Sequence, residues 1–282
     1  MKIIDNIIRI WRVALYETKI IVLSVKFFVL SAMSWMFMDL FVMSLRQLAM
    51  DFDLKLVPAG LPFYFSDNVY CNIAFLLLIF LFSDLPLKDN GQKQILQRSG
   101  IGCYACGQML SIVLVSVIYV AEQLLFSILT VLPCIEFGDW GKVWGTAAAG
   151  KLADMGYDNV VRVSYSVISQ YMPWQAIFAS ALLFGLSGIC YGMLEFLLNG
   201  LNGGKVGTAI LSAWSLMWMF LSEMSEDWVR QFNRFSPQRW NDLSDKNPDD
   251  IYIMSGVLFF SFVILWFINQ WLMKKRKIQI EI

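Results

Sequence analysis

The sequence predicts an all-α polytopic membrane protein: six transmembrane helices preceded by an amphipathic helix lying in the membrane interface. Three observations carry that prediction. The 282 residues are 58% hydrophobic and 16% charged, against an apolar content of about 45–50% in soluble domains. Their mean hydropathy is +0.59. The apolar stretches also recur along the whole length with no soluble block between them, so a single transmembrane domain covers 1–282.

A helix crossing about 30 Å of hydrocarbon needs roughly 20 mostly apolar residues, because backbone polar groups cannot be left facing lipid. Six stretches meet or approach that length: 21–44, 67–84, 105–132, 173–198, 206–222 and 251–273. The second is short and opens on Asp67, Asn68 and Asn72. No signal peptide is expected ahead of them. Over 2–19, Ile3, Ile4, Ile7, Ile8, Trp11 and Leu15 fall on one helical stripe with Asp5, Arg9, Arg12 and Glu17 off it, the pattern of an interfacial helix.

Charge sets the expected orientation. With both termini cytoplasmic, the inside segments 1–20, 85–104, 199–205 and 274–282 hold twelve basic residues against five acidic ones, counting Asp84 at the boundary. The outside segments 45–68, 133–172 and 223–250 hold nine basic against fourteen acidic. KKRK at 274–277 anchors the last span.

The most polar passage of the first half, SDLPLKDNGQKQILQRSG at 83–100, is then a cytoplasmic connection between spans two and three. Asp84 and Pro86 end the descending helix, since proline disfavours helix in the residue before it. A short helix is expected from about Asp89 to Arg98, with Ile95 and Leu96 on one face and Lys88, Gln92, Lys93 and Arg98 around it. Gly100 and Gly102 permit the turn into the third span. So short a helix does not hold its shape alone in water, which makes it a docking surface in this reading.

At this point the residues resemble a family. The run DLPLKDNGQKQILQRSGIGCYACGQML at 84–110, with its Asp-x-Pro exit, basic short helix and Gly-Gln re-entry, is similar to the region between spans two and three in permease subunits of bacterial ABC-2-type transporters; FSPQRW at 235–240 adds a second local likeness. The resemblance implies a single permease domain with an ABC-2 exporter-like fold, in which 2–19 is the elbow helix and 89–98 the coupling helix. Asp84, Pro86, Gln92, Lys93, Ile95, Leu96 and Arg98 then form the ATPase-coupling surface. The implied partners are separate ABC ATPase subunits, a second permease copy or homologue, and the lipid bilayer of a bacterial plasma membrane, with no nucleic acid. Small size and the lack of a periplasmic domain or fused ATPase point to a peptide or bacteriocin-like amphipathic substrate moved outward.

No catalytic motif is expected in the chain. The one candidate for a phosphate loop, NGLNGGKVG at 199–207, lacks the first glycine, has Val206 where a hydroxyl is needed and joins two spans. ATP and Mg²⁺ therefore belong to the partner, and the chain itself carries no cofactor. The chain has no histidine, which removes histidine bases, dyads and metal ligands. Cys103 and Cys106 form a lone CxxC, and with Cys71, Cys134 and Cys190 scattered, packing thiols are expected rather than a metal site.

Ionisable residues inside spans are costly and often functional. Asp39, Glu122 and Gln123 are candidates for a substrate path, with structural pairing as the alternative for Asp39 and Glu122, while Lys26 reaches the interface by snorkelling and Glu195 is expected near it. Trp228, Phe232 and Phe235 recur at i, i+4 and i+7, matching a half-sunk helix at an external gate; an aromatic belt is the plainer account. The competing function is a non-transporting sensor or assembly subunit whose cytoplasmic loop docks a regulator. In a cysteine-free background, single cysteines near 55 and 245 are expected to label from outside intact cells and those near 93 and 278 are not; external labelling at 93 would overturn the six-span topology.

Overall fold

An apolar chain in lipid satisfies its backbone most economically within helices, and in the computed structural model each long apolar run is helical. The structure describes residues 2–86, 92–157, 161–202, 204–221 and 236–280. Among them run twelve α-helices: α1 (Lys2–Val22), α2 (Val25–Asp51), α3 (Gly60–Ser66), α4 (Asn68–Phe82), α5 (Gln92–Ser99), α6 (Ile101–Leu129), α7 (Gly141–Ala148), α8 (Tyr165–Gln170), α9 (Pro173–Asn202), α10 (Val206–Leu221), α11 (Pro237–Asn241) and α12 (Pro248–Ile280). The only extended pairing among the described residues is an isolated bridge between Leu56 and Ile135.

Four helices, α2, α6, α9 and α12, are long and apolar enough to cross a bilayer, and α3 with α4 makes a fifth if the bent pair is counted as one broken span. α10 is apolar but has 16 residues, about 24 Å of rise. Six uninterrupted crossings were expected from composition. The second is instead preceded by a 90° bend, and the fifth is short for the full hydrocarbon thickness.

α1 has two apolar faces with different fates. Val13, Ala14 and Ile21 are buried together with Glu17 and Thr18, on a helix that packs along α6. The stripe of Ile4, Ile7, Ile8, Trp11 and Leu15 is left exposed. The approach to α6 is close because Gly107 has no side chain. A Cβ there would stand 2.5 Å from both Cβ and Cγ1 of Val13 and 3.1 Å from the Ile10 carbonyl.

The connections gather at two ends of the helix bundle. At one, the start of α2, the end of α4 and the α9–α10 turn meet through Lys26, Asp84 and Lys205. At the other, Tyr157 donates to Asp51, Trp144 Nε1 to the Val57 carbonyl, Gln238 to the Ser66 carbonyl and Tyr171 to the Lys246 carbonyl. The loops read as inside thus share one end, and those read as outside share the other.

α3 was not expected from the sequence. Its run Gly60–Phe65 is entirely buried, and the Phe65 ring stacks on Phe184 of α9 with centroids 3.9 Å apart. Phe184 also meets Phe75 of α4 at 4.8 Å and Tyr119 of α6 at 6.2 Å. Asp67 restarts the chain as α4 by accepting from the Val69 and Tyr70 amides at 2.9 and 3.1 Å, an N-cap of the usual kind.

Gly107→Ala tests the α1–α6 seating. Overpacking of this kind costs about 1–3 kcal/mol, so the thermal midpoint of the purified protein should fall. Adding Val13→Ala should not restore it, because the Val13 Cβ itself occupies the space; full recovery in the double variant would show that the two helices are not held at this distance.

Candidate functional site

The loop end that carries α5 is built around one carboxylate. Asp84 follows α4 and accepts from Lys26 Nζ of α2 at 2.5 Å and from Lys205 Nζ of the α9–α10 turn at 2.7 Å. Lys26 also donates to Ser83 Oγ at 3.0 Å. Partial burial pushes the Asp84 carboxyl up, but the hydrogen bonds and charges of Lys205 and Lys26 outweigh it and hold the carboxyl below its ordinary value. The Asp84 side chain remains about half exposed, so each pair is worth only about 0–1 kcal/mol. Its role is to locate three elements rather than to glue them.

Beneath it lies a buried clamp. Asn199 Nδ2 donates to the Leu85 carbonyl at 3.0 Å, and its Oδ1 accepts from the Gly207 amide at 2.8 Å. One α9 side chain therefore satisfies a carbonyl just past the end of α4 and an amide in the first turn of α10, both orphans of helix ends. Gly207 is required by the fit: a Cβ there would stand 2.9 Å from Asn199 Oδ1, from the Glu195 carbonyl and from Leu198 Cβ. Thr208 Oγ1 donates to Glu195 Oε1 at 2.5 Å. Glu195, expected near the interface, is fully buried.

α5 follows this clamp in the chain and packs against α1 and α6. The expected start of the helix near Asp89 lies outside the described residues, as does Lys88. Gln92 and Lys93 form its first turn, Pro86 is half-buried, and Ile95 and Leu96 are half-buried. Gln94, Gln97 and Arg98 point outward. The apolar pair is thus partly used within the chain, and the outer face of α5 is polar. Gly100, at φ +78°, makes the turn into α6, and its amide donates to the Leu96 carbonyl at 2.9 Å. Gly102 sits within α6, where a side chain would meet open space.

The candidate path residues do not come together. Asp39 pairs with Arg46 two turns along the same face of α2, and Arg46 Nη1 also donates to the Thr130 carbonyl at 3.0 Å. Glu122 is half-buried on α6, and its Oε2 has no hydrogen-bond partner among the described residues. Gln123 is fully buried, and neither of its amide atoms has a partner among the described residues. Near them, Tyr119 receives a bond from Ser34 of α2 at 3.0 Å and donates to the Ala74 carbonyl of α4 at 3.2 Å. Trp228, Phe232 and Phe235 lie outside the described residues.

At the other end a polar cavity of about 650 Å³ opens beside the α3–α4 break. Asp67, Arg162 and Asp242 contribute its charges, and Phe37 and Leu40 of α2 its apolar wall. The sequence reading missed this site; its signal is the pairing of the short apolar run PAGLPFYF with SDN at 66–68. Comparison of the chain with family models, curated proteins and solved structures finds no match to any of them.

The clamp predicts unequal losses. Asn199→Ala strands two buried backbone groups at about 1–3 kcal/mol each, whereas Asp84→Asn removes exposed pairs worth about 1 kcal/mol or less. Thermal unfolding should rank the first well above the second. A lowered folded pKa means that the Asp84 contribution is complete above the ordinary carboxyl pKa of about 3.9 and disappears as pH falls through the folded value. A stability profile that loses this contribution between pH 7 and 5 would contradict the assignment.

Proposed function

We propose that the chain is the membrane-spanning permease subunit of an ATP-driven, ABC-2-type exporter, with six spans, both termini cytoplasmic, and ATP hydrolysis in separate subunits. The observation that supports it most is α5: a short helix with a polar outer face, between α4 and α6 in the chain and packed on α1 and α6, at the loop end where Asp84 and Asn199 tie α2, α4, α9 and α10 together. In this proposal a force on α5 passes to α6, on which it packs, while the clamp joins the ends of α2, α4, α9 and α10. That is the mechanical requirement for coupling to a motor that the chain does not contain.

Several further features fit this reading. The exposed apolar stripe of α1 suits a helix lying along the cytoplasmic interface. The excess of basic residues at the α5 end suits a cytoplasmic face. The polar cavity at the α3–α4 break is placed where a substrate leaving the bundle would need solvation, and its mixed charge suits a peptide-like or amphipathic substrate. The partners in this proposal are ABC ATPase subunits carrying ATP and Mg²⁺, a second permease copy or homologue, and a bacterial plasma membrane.

Two variants of α5 test it. Ile95 and Leu96 are half-buried within the chain, so the surface they can still give to an ATPase is worth about 1.5–3 kcal/mol in total, or roughly 10–150-fold in affinity. Ile95→Asp with Leu96→Asp should reduce ATPase co-purification by that order and abolish substrate-coupled hydrolysis. Gln94→Glu with Gln97→Glu, which alters only the exposed face, should weaken the same complex in a salt-sensitive way. Full ATPase binding and coupled hydrolysis in both variants would remove α5 from the coupling role and favour the sensor or assembly alternative.

A further inference from the structure

A second surface, remote from α5, has the form of a binding site. α10 and α12 each pack on α9, and between them lies a cleft of about 500 Å³. Cys190, Tyr191 and Leu194 of α9 form its floor. The walls are almost wholly apolar, with Trp214 from α10 and Leu258 and Leu265 from α12, and Trp240 lies at one end. Next to Trp240 in the chain, Arg239 enters a smaller cavity of about 270 Å³ that also contains Asp242, Asp245, Lys246 and Asp250.

The two cavities share one stripe of α12. Met254 lines the polar cavity, and Leu258, Ser261 and Leu265 line the apolar cleft. These positions fall at i, i+4, i+7 and i+11, one face of a helix. From Asp250 to Leu265 the axis rises about 22 Å. Half of a bilayer of about 40–45 Å, headgroups included, is about 20–22 Å. The site therefore has the depth of one leaflet, with charge at the interface and hydrocarbon below it. A partner helix would instead need a groove along the full crossing, yet the cleft ends at Leu265, and one turn on Asn269 is buried and donates to the Met193 carbonyl of α9 at 3.1 Å.

Charge selects the headgroup. Lys246 Nζ is committed to the carbonyls of Arg239 and Asp242 and is nearly fully buried. Arg239 and Asp245 are exposed and loosely paired at 3.5 Å. Asp250 accepts from the Asn247 amide at 3.0 Å with one oxygen. The mouth thus offers one available guanidinium beside carboxylates, which complements a phosphate carrying an ammonium and disfavours a purely anionic head. We propose that this site holds one zwitterionic phospholipid with a primary-amine head, phosphate at Arg239, ammonium at Asp245 and Asp250, and an acyl chain between α10 and α12. The bound chain lies between α10 and α12, beside the contact that each makes with α9. The assignment does not depend on what α5 binds.

The test uses the full chain reconstituted in vesicles of equal parts phosphatidylethanolamine and phosphatidylglycerol, each supplied in turn with a photoactivatable acyl chain. Native mass spectrometry should find phosphatidylethanolamine retained over phosphatidylglycerol by about fivefold, the equivalent of one exposed ion pair, and cross-links should map to Leu258, Ser261 and Leu265. Arg239→Gln with Asp245→Asn, both at the surface, should erase the headgroup preference without changing the thermal midpoint. Ser261→Trp should block the cross-link. Equal retention of both lipids by the unaltered protein, cross-links spread evenly around α12, or cross-links from this face to a second copy would each overturn the proposal.

Discussion

The constraint on which the rest of the structure depends is that backbone groups freed by a broken helix must find a partner when no water is at hand. This chain breaks its helices often, and at several breaks a side chain, local or remote, supplies the missing bond. Asp67 caps α4, Gln238 of α11 takes the Ser66 carbonyl at the end of α3, and Ser127 donates to the Pro58 carbonyl just before α3. Asn199 serves α4 and α10 at once. Arg46 serves the Thr130 carbonyl past the end of α6. The bundle is therefore cross-linked at several of its helix ends as well as within its spans.

That arrangement makes α4 and α10 a mechanical pair. At one end Asn199 joins them. In the middle Ser215 of α10 donates to Asn72 of α4 at 3.0 Å, and at the other end Asn68 donates to the Met219 carbonyl at 3.2 Å. Three polar contacts along about 20 Å fix the register of one helix against the other from the Asp84 end to the α3–α4 bend. The bend opens on the polar cavity. Phe75 of α4 also meets Phe184 of α9 at 4.8 Å, so the pair is seated on the aromatic cluster around Phe184.

How much of this was legible depended on the length scale of the signal. The long apolar runs gave α2, α6, α9 and α12, and the period of Ile4, Ile7, Ile8, Trp11 and Leu15 gave α1, because both signals persist over several turns. The polar run 83–100 gave α5, with its start beyond the described residues. α3 was not legible, since a buried apolar run of seven residues is too short to cross a membrane and looks like a loop. The Asn199 clamp was hidden for a different reason. NGLNGGKVG reads as a tight turn between two spans, and nothing local distinguishes an asparagine exposed in a turn from one that caps two helices, because the Leu85 carbonyl lies 114 residues away in sequence.

The candidate path residues show why composition alone cannot assign a route. Glu122 and Gln123 are adjacent in sequence, but adjacent residues on an α-helix point about 100° apart. Glu122 is half-buried while Gln123 is fully buried, so the two cannot line one continuous wall. Gln123 is the more demanding of the pair: an amide buried in hydrocarbon without partners costs on the order of 1–3 kcal/mol by mutational measures, a large fraction of the stability of a typical domain. The neighbouring Tyr119, by contrast, is fully engaged with Ser34 and the Ala74 carbonyl. Among the described residues Gln123 is thus a fully buried amide on α6 that stands outside the network its neighbour makes.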